Sequence, residues 1–154
     1  MSYHSIITLV EEALQANISA QSFVTSRSIT VTDSFGGQLV DVPCVVVKCE
    51  STSEQPEQSG NFVASVEILM VGAMDPDNAD TYEVNISSHR TNAGHIHRYI
   101  TDTLTAAGLE AAVPSGSNGL TVYDVRLVGS GREINTADGV LEDSFNLEIY
   151  AKES

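Results

Sequence analysis

The chain has 154 residues, of which 42% are hydrophobic and 6% aromatic, and its 21 acidic and 7 basic residues give a formal charge of −14. This length fits one domain with a core of aliphatic side chains. The acidic surplus argues against a protein that binds nucleic acid or anionic membranes, because both partners are polyanions. The sequence contains no apolar run long enough to span a membrane and no secretion signal at its start. We therefore expect a protein that is made and used inside a cell, or released by lysis.

The first predicted element is a helix over about residues 3–16. Its apolar stripe repeats every three or four residues, and Ser2 and Ser5 are both candidates for the N-cap. The stripe contains Ile6, Ile7, Val10, Ala13 and Leu14. The β-branched, alternating residues 28–32 then predict a short strand, which a turn at residues 35–37 follows.

A second strand is predicted to begin at Pro43 and to run to Cys49. Cys44 and Cys49 are an odd number of residues apart, so they should lie on opposite faces of this strand as two reduced thiols. The polar residues 50–60 contain no apolar anchor and predict a flexible, solvated loop.

The third strand, residues 61–73, is the longest that the pattern predicts, and apolar side chains occur on both of its faces. One face is continuously apolar, whereas Glu67 interrupts the other. A mixed face of this kind suits contact with another subunit better than contact with water. We therefore predict that part of this face forms a subunit interface. The residues assigned to it are Val63, Ser65, Leu69 and Val71.

A long helix is predicted from Ile86 to Ala107, with Gly108 at its C-terminal end. Asp80 and Glu83 resemble a capping box that starts a helix. The core stripe of this helix contains Ala93, Ile96, Ile100, Leu104 and Ala107.

Two alternating strands are predicted near the end of the chain, joined by a connector over residues 129–139. The first covers residues 121–128 and places Thr121, Tyr123, Val125 and Leu127 on one face. The last has the clearest alternation, with Phe145, Leu147, Ile149 and Ala151 on its apolar face. The order of elements predicts one α+β domain over residues 1–154, in which a mainly antiparallel sheet is flanked by two helices.

The sequence offers little that predicts catalysis, a metal or a cofactor, and we expect none of them. His95 and His97 would point about 200° apart on a regular helix, so they cannot share a metal ion, and His89 misses the four-residue spacing of zinc helices. We interpret the three as surface or interface histidines. Residues 129–132, Gly-Ser-Gly-Arg, lack the Gly-Lys-Ser/Thr ending of a phosphate loop, so we interpret them as a mobile connector.

Acidic residues accumulate where basic residues are absent. Between Lys48 and Arg90 the sequence has no Lys or Arg. The acidic residues of this block that we single out are Glu50, Glu54, Glu57, Glu67, Asp75, Asp77, Asp80 and Glu83. Solubility is the simplest reason for such a block. The alternative is a surface that must repel a polyanion.

The order of elements and several local sequences resemble the tail terminator proteins of long-tailed bacteriophages, which are also called tail completion or neck proteins. The resemblance rests on a short N-terminal helix, a proline-led strand at residues 42–47, and a long strand after an acidic loop. It continues with a helix at residues 89–104 and a closing strand at residues 143–149. It is a similarity of layout over most of the chain, except residues 19–41.

The resemblance implies a structural virion protein that forms a ring, commonly of about six copies, at the head-proximal end of the tail. The ring would end growth of the tail tube, and its partners would be further copies, the tail tube protein and the head–tail connector protein. It would be assembled in the cytoplasm of the bacterial host. DNA would pass through without specific binding, so we expect part of the acidic block to face the channel, where carboxylates repel phosphates.

Two alternatives to the terminator remain open. The first is another virion protein, either a head–tail connector or a tail-tube subunit. The second is a small bacterial ligand-binding or hydrolytic α+β domain, which would need a concave apolar pocket with a few converging polar groups.

Overall fold

A computed structural model describes residues 3–33, 43–54, 59–74, 79–135 and 139–154, with side chains for all of these except 79–83 and 135. In this part of the chain, five strands form one sheet, and helices pack on one of its faces around a single main core. The architecture is the predicted α+β class. None of the helices in the described ranges combines the length and the apolar character needed to cross a membrane.

The sheet has the strand order β1-β2-β3-β5-β4, which makes β1 and β4 its two edges. The strands are β1 (Thr30–Asp33), β2 (Cys44–Glu54), β3 (Asn61–Ala73), β4 (Leu120–Asn135) and β5 (Val140–Glu153). β1 is parallel to β2, and every other neighbouring pair is antiparallel. The sheet is therefore mainly antiparallel, as predicted.

The helical layer consists of four α-helices and one π-helical segment in the described chain. They are α1 (Ile6–Ser19), α2 (Ser22–Ser26), α3 (Ala79–Arg98), the π-helical segment (Tyr99–Thr103) and α4 (Ala106–Ala111). α1 lies against β1 and β2, α3 against β3 and β5, and α4 against β4. The layer thus extends across the whole width of the sheet.

Strand alternation was predicted most accurately where a strand lies inside the sheet. β3 has the predicted bounds, and β5 buries the predicted face of Phe145, Leu147, Ile149 and Ala151. Cys44 and Cys49 are both buried, free and on opposite faces of β2, as predicted from their spacing.

The first helix begins later than the sequence pattern suggested. Ser5 is the N-cap of α1, and its hydroxyl accepts a hydrogen bond from the Thr8 amide at 3.3 Å. Ile7 is partly exposed, whereas Leu9 and Ile18 are fully buried. The predicted stripe of Ile6, Val10, Ala13 and Leu14 is buried, so this part of the prediction is confirmed, and the helix continues three residues further than predicted, to Ser19.

The prediction of a loop from Glu50 onwards was wrong, because β2 continues to Glu54 and pairs with β3. A bulge at Glu50 shifts the register, and Glu11 of α1 stabilises it. The carboxylate of Glu11 is only 4% exposed and accepts a hydrogen bond from the Cys49 amide at 3.0 Å. Polar residues can form this strand because the backbone ladder with β3 does not require apolar side chains.

The prediction of a connector over residues 129–139 was also wrong in its first part. Residues 129–135 continue β4, which pairs with β5 along its whole length. Bulges at Tyr123 and Val128 break the simple alternation, so Val122 is buried and Tyr123 is exposed. Glu110 of α4 accepts a hydrogen bond from the Val122 amide at 2.9 Å beside the first bulge.

The predicted long helix is divided, and Gly108 does not end it. α3 passes into the π-helical segment, the backbone becomes extended at Leu104, and α4 starts from Thr105, whose hydroxyl accepts a hydrogen bond from the Gly108 amide. Asn17 of α1 holds the two parts together, since it accepts from the Tyr99 hydroxyl and donates to the Gly108 carbonyl.

Two details of the helix prediction change as a result. Ala107 is exposed on α4 rather than part of the core stripe. Asp80 lies inside α3, which is helical from Ala79, so it cannot be the N-cap of that helix. The turn predicted at residues 35–37 lies outside the described residues.

A polar cluster of the buried His89 and Asp143 and the exposed Arg132 joins α3 to the two C-terminal strands. Asp143 on β5 accepts two hydrogen bonds from Arg132 on β4, both at 2.8 Å, and pairs with His89 Nε2 at 3.0 Å. His89 is only 3% exposed, so the interpretation of it as a surface or interface histidine was wrong. Burial alone would raise the pKa of Asp143, but the hydrogen bonds from Arg132 and His89 lower it below its usual value.

The imidazole of His89 occupies space that a side chain at position 72 would fill. A Cβ atom on Gly72 would lie 2.6 Å from His89 Nδ1, a contact that the packed helix cannot relieve easily. We predict that Gly72→Ala lowers the free energy of unfolding by about 1–3 kcal/mol, the usual range for overpacking. The matched control is Gly94→Ala in α3, where a Cβ meets nothing within 4 Å.

Urea denaturation of the two variants tests this packing. Gly94→Ala should be neutral or stabilising by up to about 1 kcal/mol, because alanine favours a helix interior. Equal stability of Gly72→Ala and the wild type would show that α3 does not pack against β3 at this point.

The lowered pKa of Asp143 predicts a specific acid sensitivity. The unfolded chain binds a proton near pH 4, whereas the folded chain does so only at lower pH, so Asp143 contributes stability above about pH 4 that is lost as the pH falls further. Below this pH, the wild type should lose stability more steeply than Asp143→Asn. Unfolding curves from about pH 7 to about pH 2.5 measure the slopes, with Asp102→Asn as the exposed control. Parallel slopes for all three proteins would contradict the prediction.

Candidate functional site

The face of the sheet opposite the main core carries no helix in the described chain, and we call it the open face. Strand register fixes its members, which alternate with the core residues. β2 and β3 contribute Cys44, Val46, Lys48, Ser51, Ser53, Val63, Ser65, Glu67, Leu69 and Val71. β4 and β5 contribute Asp124, Arg126, Gly129, Gly131, Glu133, Glu142, Ser144, Asn146, Glu148 and Tyr150. The open face is the largest surface of the described sheet that is available to a partner.

The predicted interface residues all belong to the open face, but they differ in exposure. Val63, Ser65 and Leu69 are half-buried, whereas Val71 is 0% exposed. Val71 packs with Cys44 and other apolar side chains in a small second core cluster on this face. Val71 therefore offers no side-chain surface to a neighbour, and the available apolar positions are Val63 and Leu69.

The acidic block of the sequence does not form one surface. Glu67 lies in the middle of the open face, while Glu50 occupies the β2 bulge and Glu54 accepts a hydrogen bond from the Gly60 amide near the hairpin end. Asp80 and Glu83 belong to α3 in the helical layer. The remaining block members, Glu57, Asp75 and Asp77, lie outside the described residues.

Strand pairing adds acidic residues that the sequence reading missed. Glu67 shares the open face with four carboxylates from the last two strands, namely Asp124, Glu133, Glu142 and Glu148. The sequence pattern did not indicate them, because the block without basic residues lies between Lys48 and Arg90, whereas β4 and β5 come much later. The alternation of β5 could have identified Glu142 and Glu148, since both share a face with Ser144 and Asn146.

A groove of about 590 Å³ lies at one end of the open face. Arg126 crosses it, with its guanidinium 4.8 Å above the centre of the Tyr150 ring and its Nε 2.7 Å from Asp124. The Tyr150 hydroxyl donates a hydrogen bond to Glu148 at 2.9 Å. The hydrogen bond from Arg126 lowers the pKa of Asp124, and the bond to Glu148 raises the pKa of Tyr150.

These contacts show that the charged groups of the groove already bind one another. The groove is a trough on the surface of a sheet, not an enclosed apolar cavity. Its geometry therefore suits contact with a protein surface better than the binding of a small molecule.

A second concavity, of about 330 Å³, lies near the other end of the open face. Three glutamates, Glu67, Glu133 and Glu142, surround it together with Arg132 and Leu69, and the small residues Gly131 and Ser144 also line it. Glu133 and Glu142 stand directly opposite each other on neighbouring strands, an arrangement of like charges that costs stability. The open face thus concentrates negative charge at this end.

The histidines and cysteines have structural partners. His95 stacks on Phe23, and His97 lies 6.1 Å from the ring of Phe145. Within the described ranges, no three or more His, Cys, Asp and Glu side chains are grouped so that they could hold a metal ion. Burial and the charge of Glu11 raise the pKa of the Cys49 thiol to about 11, which leaves it a poor nucleophile near neutral pH.

Comparison with known proteins adds a fold relationship. No family model and no curated protein sequence matches the chain. A solved chain from a structure titled "Virion of native gene transfer agent (GTA) particle" is similar, with a TM-score of 0.64 and 11% identity. The match covers 97% of this chain and 99% of the other, so the two share a fold from end to end.

Proposed function

We propose that this chain is a structural component of a phage-like virion. The observation that carries the proposal is the fold match to a gene transfer agent virion chain over the whole length of both proteins. The open face agrees with it, because a broad sheet face on which no described helix packs suits a protein that works by assembly. More specifically, we propose a tail terminator, a ring of about six copies that ends the tail tube and joins it to the head connector.

The two sheet edges support head-to-tail assembly. A closed ring needs two different surfaces on each copy, one of which fits the other on its neighbour. β1 and β4 are at opposite edges of the described sheet and run in opposite directions, as the pairing of the intervening strands requires. When copies are related by rotation about an axis along the strands, β4 of one copy therefore meets β1 of the next in antiparallel orientation.

The charge of the open face supports its placement towards the channel. Five carboxylates, including Glu67 and Glu133, share this face with Lys48 and Arg126. A protein interface is depleted of charged residues at its centre, whereas a passage for DNA benefits from carboxylates that do not bind phosphate. We therefore favour the channel for this face over the subunit interface predicted at Val63, Ser65 and Leu69.

The position of β3 also supports the channel, rather than the subunit interface, for the open face. β3 is the central strand of five, so a copy placed beside the sheet would reach β1 or β4 first. Val63 lies two residues after the start of β3 and Leu69 lies four residues before its end, on either side of Glu67. The proteins above and below the ring, the tail tube and the connector, would approach along the strands. We propose these two residues as contacts for those partners.

Charge reversal on the open face distinguishes a face that lines the channel from a face that forms a subunit interface. The test variant is Glu67→Lys/Glu133→Lys, and the control is Asp102→Lys, an exposed change in the helical layer. If the open face faces the channel, negative-stain images should show rings for both proteins. Only the test variant should then retain duplex DNA in a gel-shift assay, and this binding should weaken as the salt concentration rises.

Two results would count against this proposal. Rings that disappear in the test variant but persist in the control would assign the open face to a subunit interface. Wild-type protein that stays monomeric at every concentration, alone and with tail tubes, would contradict the ring itself.

A further inference from the structure

A small cavity of about 80 Å³ lies between α3 and the ends of β4 and β5 that approach it. Its walls are formed by three apolar residues, Ile86, Ile134 and Leu141, and by three basic residues, His89, Arg90 and Arg132. The volume corresponds to between two and three molecules of liquid water at about 30 Å³ each, which is enough for one carboxylate group and its attached carbon.

The basic residues of this cavity are unusual in so acidic a chain. Only 7 of the 154 residues are Lys or Arg, and two of these line one cavity. Arg132 binds Asp143 through Nε and Nη2, and its Nη1 group takes part in neither bond. Arg90 is exposed and forms no ion pair with any described acidic residue, unlike Arg98, Arg126 and Arg132.

His89 is a buried polar residue in the cavity wall, and its Nδ1 atom lies against Gly72. Its side chain is buried, and its Nδ1 atom has no hydrogen-bond partner among the described residues. Asp143 is already neutralised by Arg132, so Arg90 gives the cavity a local excess of positive charge. The apolar walls lower the local dielectric constant and strengthen the attraction of these groups for an anion.

From this geometry we infer that the cavity binds a carboxylate on a short apolar stem, and that in the assembled protein a glutamate or aspartate side chain of a second copy supplies it. Two guanidinium groups with free N–H donors match a carboxylate, because its oxygens accept several hydrogen bonds at once. The half-exposed Ile134 beside the cavity would cover the stem of the incoming side chain.

The net charge of the chain indicates why a second copy is the source. Copies that each carry a formal charge of −14 repel one another, so stable contact requires acidic groups of one copy to meet basic groups of the next. Arg90 and Arg132 are basic groups that an acidic side chain of a second copy would meet at this cavity. The choice of a second copy rests on the proposed ring, whereas the carboxylate preference does not.

Propionate tests the carboxylate preference on the purified protein, since it reproduces the glutamate side chain. Propionamide is the matched probe with the same shape and no charge. Titration followed by NMR should shift the His89 imidazole and the Arg90 and Arg132 Nε signals with propionate, with a dissociation constant on the order of millimolar. Propionamide should produce no saturable shift.

The variant Arg90→Gln should weaken propionate binding by about tenfold, while Arg98→Gln on the same helix should bind propionate like the wild type. Arg132 is left unchanged because it also stabilises Asp143. Equal binding of propionate and propionamide, or unchanged binding in Arg90→Gln, would overturn the carboxylate site.

Sedimentation velocity tests the source of the carboxylate. Arg90→Gln should shift assembly to concentrations about tenfold higher than in the wild type and Arg98→Gln, and propionate should compete with wild-type assembly. If propionate binds as expected but Arg90→Gln assembles like the wild type, the carboxylate does not come from a second copy and that part of the inference fails. If the wild type itself does not assemble, the proposed ring is contradicted. The propionate titration still shows whether the cavity binds a carboxylate.

Discussion

The structure depends on a sheet whose helices, in the described part of the chain, all pack on one face. Alternation along each strand sends most apolar side chains towards α1, α3 and α4, while the open face carries polar and acidic side chains and the small apolar cluster around Val71. Hydrophobic burial therefore stabilises the fold mainly from one side, since apolar area removed from water is the main favourable term in folding. The open face contributes less to this burial, and it is the surface through which we propose that the protein acts.

Polar contacts fix the position of the helices on the sheet, which hydrophobic burial alone would not specify. Glutamates from two helices, Glu11 and Glu110, each accept a backbone hydrogen bond beside a bulge, on β2 and β4 respectively. Asp143 similarly joins α3 to the two C-terminal strands through His89 and Arg132. These bonds connect the helical layer to the sheet at defined positions, so they fix which residues appear on the open face and around the cavity at Arg90.

The sequence predicted the fold well where one physical rule acts alone. Period-two alternation identified β3 and β5 because both are interior strands with one face against the core. It failed where a second interaction intervenes, as at Tyr123, where a bulge changes the phase of β4. Nor could it show that α3 ends in a π-helical segment, because the contacts of Tyr99 and Gly108 with Asn17 join residues far apart in the chain.

The functional surface was predictable only in part, for the same reason. The open-face positions of β3 followed from alternation, but the acidic residues of β4 and β5 reach Glu67 only through strand pairing. The cavity at Arg90 combines one helix and two strands, and no local motif marks it. For surfaces built from such distant combinations, the sequence indicates the charge and the apolar character more readily than the location.

The mass of the native protein tests whether copies of the chain assemble into a closed ring. One chain has a mass of 16.4 kDa, and native mass spectrometry from a volatile buffer measures how many chains remain together. We expect one closed species of about six chains, with no continuous series of larger assemblies. In a closed head-to-tail ring, both interface surfaces of every copy are already occupied. A single species at the mass of one chain, at every concentration and ionic strength, would contradict it.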